Sequence, residues 1–304
     1  MKLKLDIKSN ALDSFNEALV KFESGQSGNR TALKFSILHL SHCIELVLKL
    51  YVQTIDEYLI YRACYSKVIK ASKDPTVSLL DAYASLKAGG LDFSTLIAGD
   101  PNPYTISVKE ALAIVKNESC GSIGNEFVDV DFLTDVDRMK TLRNAIEHYE
   151  FEFELKQVRL LIGRLVRGLD NFTDVFSLFS LEKEVGEDRF SVFSVLVDEY
   201  EQTLSEAHYE VTETKDVLFR SLRPKERVFH EWNVYYCEDC GHDTIIPNEN
   251  SSTGYKCTYC GNEESEEIEI DCDVCGLPWA NGELSYWGEE VGDICPRCVN
   301  PEAY

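Results

Sequence analysis

Apolar residues recur at helical spacing through most of the first 220 positions. Ala11, Phe15, Leu19 and Phe22 predict a short helix over residues 9–24, stopped by the small and polar run Ser24 to Asn29. Ile37, Leu40, Ile44, Val47, Leu48 and Tyr51 form one stripe of a long helix expected from about Thr31 to Tyr61. Residues 62–104 read as irregular, with breakers at Asp74-Pro75, Gly89-Gly90 and Gly99 to Pro103. Ser107 suits the N-cap of a helix reaching Val115, and residues 116–124 read as a loop. A further helix is expected from Asp129 or Asp131 to His148. The period-two run Glu150 to Leu155 then reads as a bent connection. Val158, Leu161, Ile162, Leu165, Leu169 and Phe172 predict a helix over Lys156–Phe179. A last one, Asp188 to Val211, has an acidic outer face suited to a connector or a dimerisation arm.

The fold class expected is an all-α helical bundle followed by a small β region of zinc-ribbon type. The expected partition is a helical domain over 1–180, a helical connector over 181–222 and tandem ribbons over 223–304. With 304 residues, 44% of them hydrophobic and 11% aromatic, the chain has the material for a packed core. The N-terminus has no apolar run of signal-peptide length. The most apolar stretch, Ile37 to Val52, is interrupted by His39, His42, Glu45 and Lys49. A cytoplasmic protein with no membrane span is therefore expected.

Charge narrows the partners. The net charge is −23, which disfavours general nucleic-acid binding by counterion release. From Arg223 to Tyr304 five Lys and Arg face eighteen Asp and Glu, a net of −13. Residues 138–167 run the other way, with seven basic side chains against four acidic ones. That island reads either as a phosphate-binding site or as a mixed, solvated helix face.

Eight of the eleven cysteines fall after residue 236 as four Cys-x2-Cys pairs. Cys237/Cys240 precede Cys257/Cys260, and Cys272/Cys275 precede Cys295/Cys298, with Gly after three of the four pairs. Each half has the two-knuckle spacing of a four-cysteine zinc site, and disulfides suit a reducing compartment poorly. Two structural zinc ions, held by sequential pairs, are expected. With four thiolates each zinc carries about −2, so neither DNA nor RNA is an expected partner of the ribbons and a protein is, although Trp279, Tyr286 and Trp287 could stack on a base. Cys43, Cys64 and Cys120 have no such spacing and read as buried apolar residues.

Two polar groupings interrupt the helical half. His42, Glu45 and Lys49 line one edge of the long helix, as a site or as an i,i+4 ion pair beside a histidine. Arg143, Asn144 and His148 combine a guanidinium that can grip phosphate with an imidazole that can move a proton.

Taken with Phe35 to Lys49 and Thr105 to Leu112, the run Leu142-Arg143-Asn144-Ala145-Ile146-Glu147-His148 resembles HEPN domains over residues 10–180. The resemblance implies a metal-independent endoribonuclease of toxin or anti-phage defence type, working as a symmetric homodimer. Arg143 and His148 would be its catalytic pair, with Asn144 in support. His148 would act as base or acid on the ribose 2′-hydroxyl chemistry, and Arg143 would stabilise the transition-state charge. His42 and Glu45 would hold that cluster, and Arg138, Lys140 and Arg159 would contact the RNA. Tyr149 follows His148 directly, a departure from the Arg-x4-His-x-Tyr pattern of some members. The alternative is a non-catalytic module of that family binding RNA, nucleotide or protein, with the ribbons as adaptor.

Overall fold

The computed structural model describes residues 5–72, 77–122, 132–136, 139, 143, 146, 155–223, 232–288 and 291–300. The chain divides into two compact units, Met1–Tyr200 and Glu201–Tyr304.

The first unit is helical. Helix α1 (Ile7–Gln26) starts where the Asp6 carboxylate accepts from the Ser9 N–H at 2.7 Å. A short turn through Gly28, at a φ of 109° that suits glycine, leads into α2 (Arg30–Ile55). The two helices pack along one another, with the Ser36 hydroxyl donating to the Ala18 carbonyl at 2.8 Å. All six residues of the expected α2 stripe are buried. This helix is long and apolar enough to cross a membrane, but 67% of its most apolar window is buried inside the fold. It stops at Asp56, earlier than its apolar pattern does. The Asp56 carboxylate accepts from the Tyr58 N–H and from Lys87 Nζ, and the Tyr83 hydroxyl also donates to it.

Residues 62–104 depart from expectation. They contain α3 (Arg62–Ala71), α4 (Leu79–Ala88) and a 3-10 turn at Phe93–Leu96. Gly89-Gly90 marks the end of α4 and not an irregular tract, while Asp74-Pro75 lies outside the described residues. Ser78 caps α4 by accepting from the Asp81 N–H at 3.0 Å, and Gly90 leaves it at a φ of 87°. Helix α5 (Val108–Ser122) opens on the expected Ser107, whose N–H donates to the Glu110 carboxylate at 2.7 Å. It continues through residues expected to be a loop. Residues 132–136, 139, 143 and 146 are helical, with Phe132, Val136, Met139 and Ile146 buried.

Helix α6 (Leu155–Val175), α7 (Leu181–Val185) and the first part of α8 (Glu187–Ser221) complete the unit. Val158, Ile162, Leu165, Leu169 and Phe172 bury one face of α6, joined in the core by Phe193 and Leu196 of α8. A buried ion pair between Arg164 and Asp135, 2.5 Å apart, ties α6 to the preceding helical segment.

The second unit holds the rest of α8 and three small antiparallel sheets. Strands β1 (Tyr235–Tyr236), β2 (Asp243–Pro247) and β3 (Tyr255–Cys257) form one sheet in that order. Strands β4 (Glu269–Asp271) and β5 (Pro278–Ala280) form the second, and β6 (Ser285–Tyr286) and β7 (Asp293–Ile294) the third. A short helix α9 (Pro296–Val299) follows. A mostly helical chain with a small C-terminal β region is thus the observed architecture. All three tryptophans, Trp232, Trp279 and Trp287, belong to the second unit.

Candidate metal centres and an adjoining groove

Each cysteine pair sits in a tight turn. In three of the four, the N–H of the following glycine donates back to the carbonyl of the first cysteine: Gly241 to Cys237, Gly261 to Cys257 and Gly276 to Cys272. These glycines adopt φ of 74°, 83° and 65°, which a side chain disfavours. The fourth pair has no glycine. There Cys295 is the residue before α9, Pro296 takes the first helical position, and the Cys298 N–H donates to the Cys295 carbonyl at 3.0 Å.

The turns gather the thiols into two sets, Cys237/Cys240/Cys257/Cys260 and Cys272/Cys275/Cys295/Cys298. The sulfurs of each set lie within 4.8 Å of one another. This is the sequential pairing. Sulfurs 3.6 Å apart in Cys237–Cys260 and Cys240–Cys257, and 3.8 Å apart in Cys275–Cys295, are too distant for disulfides. They match instead the edge, about 3.8 Å, of a tetrahedron with metal–sulfur bonds of about 2.3 Å. In the first set, hydrogen bonding with the Cys237 sulfur pushes the Cys240 thiol up and pulls the Cys257 thiol down. Crowded sulfurs of this kind suit a cation placed among them. Both sets therefore fit a metal ion bound by four thiolates.

Around the sulfurs lie donors that spacing alone did not single out. Thr244 is buried with its hydroxyl 3.1 Å from Cys257 Sγ, and Asn262 Nδ2 donates to Cys237 Sγ at 3.6 Å. The Cys295 N–H donates to Cys272 Sγ at 3.3 Å. Asn262 directly follows a knuckle glycine, the one clue the chain offers to its role. Thr244 enters through β2 pairing with β3, where Ile245 faces Cys257.

Beside the first cluster a cavity of about 670 Å³ is lined by Val211, Thr212 and Lys215 of α8 and by Trp232, Asn233, Val234 and Tyr235 leading into β1. Lys215, Thr212 and Asn233 are exposed, Trp232 is half-buried, and Tyr235 belongs to the small core around Cys237 and Ile245. An indole, a phenol, an amide and an ammonium thus surround one groove. The sequence hides it, because its two sides lie about twenty positions apart.

The polar residues singled out in the helical half are placed as follows. Glu45 Oε1 accepts from Lys49 Nζ at 2.7 Å, and its other oxygen accepts from Arg143 Nη1 at 3.3 Å. Lys49 also donates to Thr105 at 3.0 Å, and His42 Nδ1 lies 2.9 Å from the Ser14 hydroxyl. The i,i+4 ion pair is therefore present, and Arg143 ties its segment to α2. Burial holds the His42 imidazole below its ordinary pKa. Arg159 pairs with Glu199 at 2.5 Å. Arg138, Lys140, Asn144 and His148 lie outside the described residues.

Such a chain is a helical protein bearing paired four-cysteine knuckles. A family model described as tRNA synthetases class I (M) matches residues 174–297, less than half of the chain, running over α8 and every cluster cysteine but Cys298. No curated protein and no solved structure matches. The family match overturns the resemblance to HEPN domains: it starts at residue 174, so it takes in only the last seven of residues 10–180, and no HEPN family model matches. The endoribonuclease function drawn from that resemblance is withdrawn with it. The physical reason lies in how little the motif demands. An arginine on a helix also serves to brace it against a neighbour, as the Arg143–Glu45 pair does here.

Proposed function

We propose that the chain is an RNA-binding module that takes an unpaired nucleotide in the groove between α8 and β1, with two zinc ions holding the knuckles in shape. The observation that carries this reading is the placing of Trp232, Tyr235, Asn233 and Lys215 around one cavity, inside the stretch that matches tRNA synthetases. An aromatic face stacks on any base, an amide can hydrogen-bond its edge, and an ammonium can meet a phosphate. Residues 215–227 add Arg220, Arg223, Lys225 and Arg227 against Asp216 and Glu226, a locally basic run in an acidic chain.

The metals are structural in this reading. Four protein thiolates fill each tetrahedral site, leaving no position for substrate. What is taken from the family match is recognition and not aminoacylation, because the matched residues form two helices and small cysteine-bearing sheets. Transfer RNA is the first ligand to try, since the matched family is described by it.

Fluorescence anisotropy of labelled transfer RNA with the full-length, zinc-loaded protein tests this. Removing one stacking side chain costs about 1–3 kcal/mol per base, so Trp232→Ala should weaken binding about tenfold or more, and Trp232→Phe should restore much of it. A wild-type protein that fails to bind at low salt, or a Trp232→Ala variant that binds unchanged, removes the proposal.

A further inference from the structure

The second cysteine cluster lies in a stretch of different character. Between Lys256 and Arg297 there is no Lys, Arg or His, while eleven Asp and Glu occur. The same stretch exposes Val274, Leu277, Tyr286, Trp287 and Val291, with Tyr286 65% and Trp287 58% open to solvent. These side chains come from two loops clamped side by side. The Asp273 N–H donates to the Asp293 carbonyl at 3.0 Å, and the Asp293 N–H donates to the Asp273 carboxylate at 2.7 Å. Within the second loop the Trp287 N–H donates to the Gly292 carbonyl at 2.9 Å, and Tyr286 pairs with Asp293 across β6 and β7. Hydrogen bonds among the described residues thus tie the two loops together.

Exposed tyrosine and tryptophan are the residues that anchor the centres of protein interfaces, and contiguous exposed apolar surface marks such sites. The charge around them selects the partner. Glu269, Asp271 and Glu283 are exposed in the same stretch. A dication held by four thiolates adds about −2. A phosphate backbone is repelled by that field, and Lys and Arg are drawn to it.

We propose that the two joined loops exposing Val274, Leu277, Tyr286 and Trp287 dock a basic protein segment, rich in Lys and Arg around an apolar anchor residue. This is independent of the RNA reading, which uses the groove before β1. The test is calorimetry of the full-length, zinc-loaded protein with a synthetic Lys/Arg-rich peptide centred on Leu and Phe, beside the same peptide with Glu at every basic position. The basic peptide should bind and its acidic counterpart should not. Tyr286→Ala and Trp287→Ala, both at exposed side chains, should each weaken binding about tenfold while zinc content and transfer RNA binding stay unchanged. Failure of the basic peptide to bind, equal binding of the acidic one, indifference to both substitutions, or displacement of the peptide by RNA overturns the proposal.

Discussion

Thr244 and Asn262 show how much a metal site depends on groups that do not touch the metal. Both present hydrogen bonds to cluster sulfurs, which stabilises the thiolate form and fixes its direction. Thr244→Val keeps the buried shape and removes the hydroxyl. It should lower zinc affinity about tenfold or more, read by competition with a chromogenic chelator, while β2 and β3 stay paired. Unchanged affinity would show the hydroxyl to be a bystander. His42 makes a second case at this scale. Burial depresses its pKa in the folded state, against the opposing pull of Glu45 and with the support of Arg143 and Lys49. A depressed folded pKa means that the unfolded chain takes up the proton first. The contribution to stability is then full above the unfolded value of about 6.5 and is lost as pH falls from there through the folded value. Melting temperatures across that range should fall more steeply in the wild type than in His42→Gln. Parallel curves would contradict this.

The elements were legible where a stripe was long. The stripes of α2 and α6 repeat for about four turns, so periodicity alone found them. Helices α3 and α4 escaped because each buries only two or three side chains, among them Cys64, Tyr65 and Val68 in one and Ala82 and Tyr83 in the other. Ser78 opens α4 and the Gly89-Gly90 breaker closes it, but neither shows by itself that a helix lies between breakers. All four knuckles were legible, since ligand spacing is a local property, whereas the groove beside them was not. The HEPN resemblance misled because it rested on polar residues that helix packing also uses. Gly163 is a contact of the same hidden kind: a Cβ there would run into the backbone carbonyl of Leu196 on α8. Backbone cannot step aside as a flexible side chain can. Gly163→Ala should therefore destabilise the first unit by about 1–3 kcal/mol, measured by urea unfolding followed at helical wavelengths. A neutral effect would mean that α6 and α8 do not approach so closely.

For the molecule as a whole, the two units owe their stability to different sources. The first has a continuous core running from Ala11 to Leu196. The second relies on two clusters of a few side chains each, built around the cysteines themselves. Cores that small do not hold without a cross-link or a metal. A strong chelator should thus unfold the ribbons and leave most of the helical circular dichroism intact; a joint collapse of both signals would refute that division. The acidic surface also shapes the RNA interaction. With five basic against two acidic side chains over residues 215–227, a net of +3, the logarithm of affinity should fall with the logarithm of salt at a slope of about −2. A steep slope would point to a broad phosphate-binding surface elsewhere.

Because every indole in the chain lies beyond residue 200, the protein carries its own reporter. Ultraviolet-excited tryptophan emission is blind to the helical body and speaks for the cysteine-bearing part alone. Among the three, Trp232 lines the groove and Trp287 stands on the acidic face, so single Trp→Phe replacements would sort a nucleotide arriving at one from a peptide arriving at the other without any added dye.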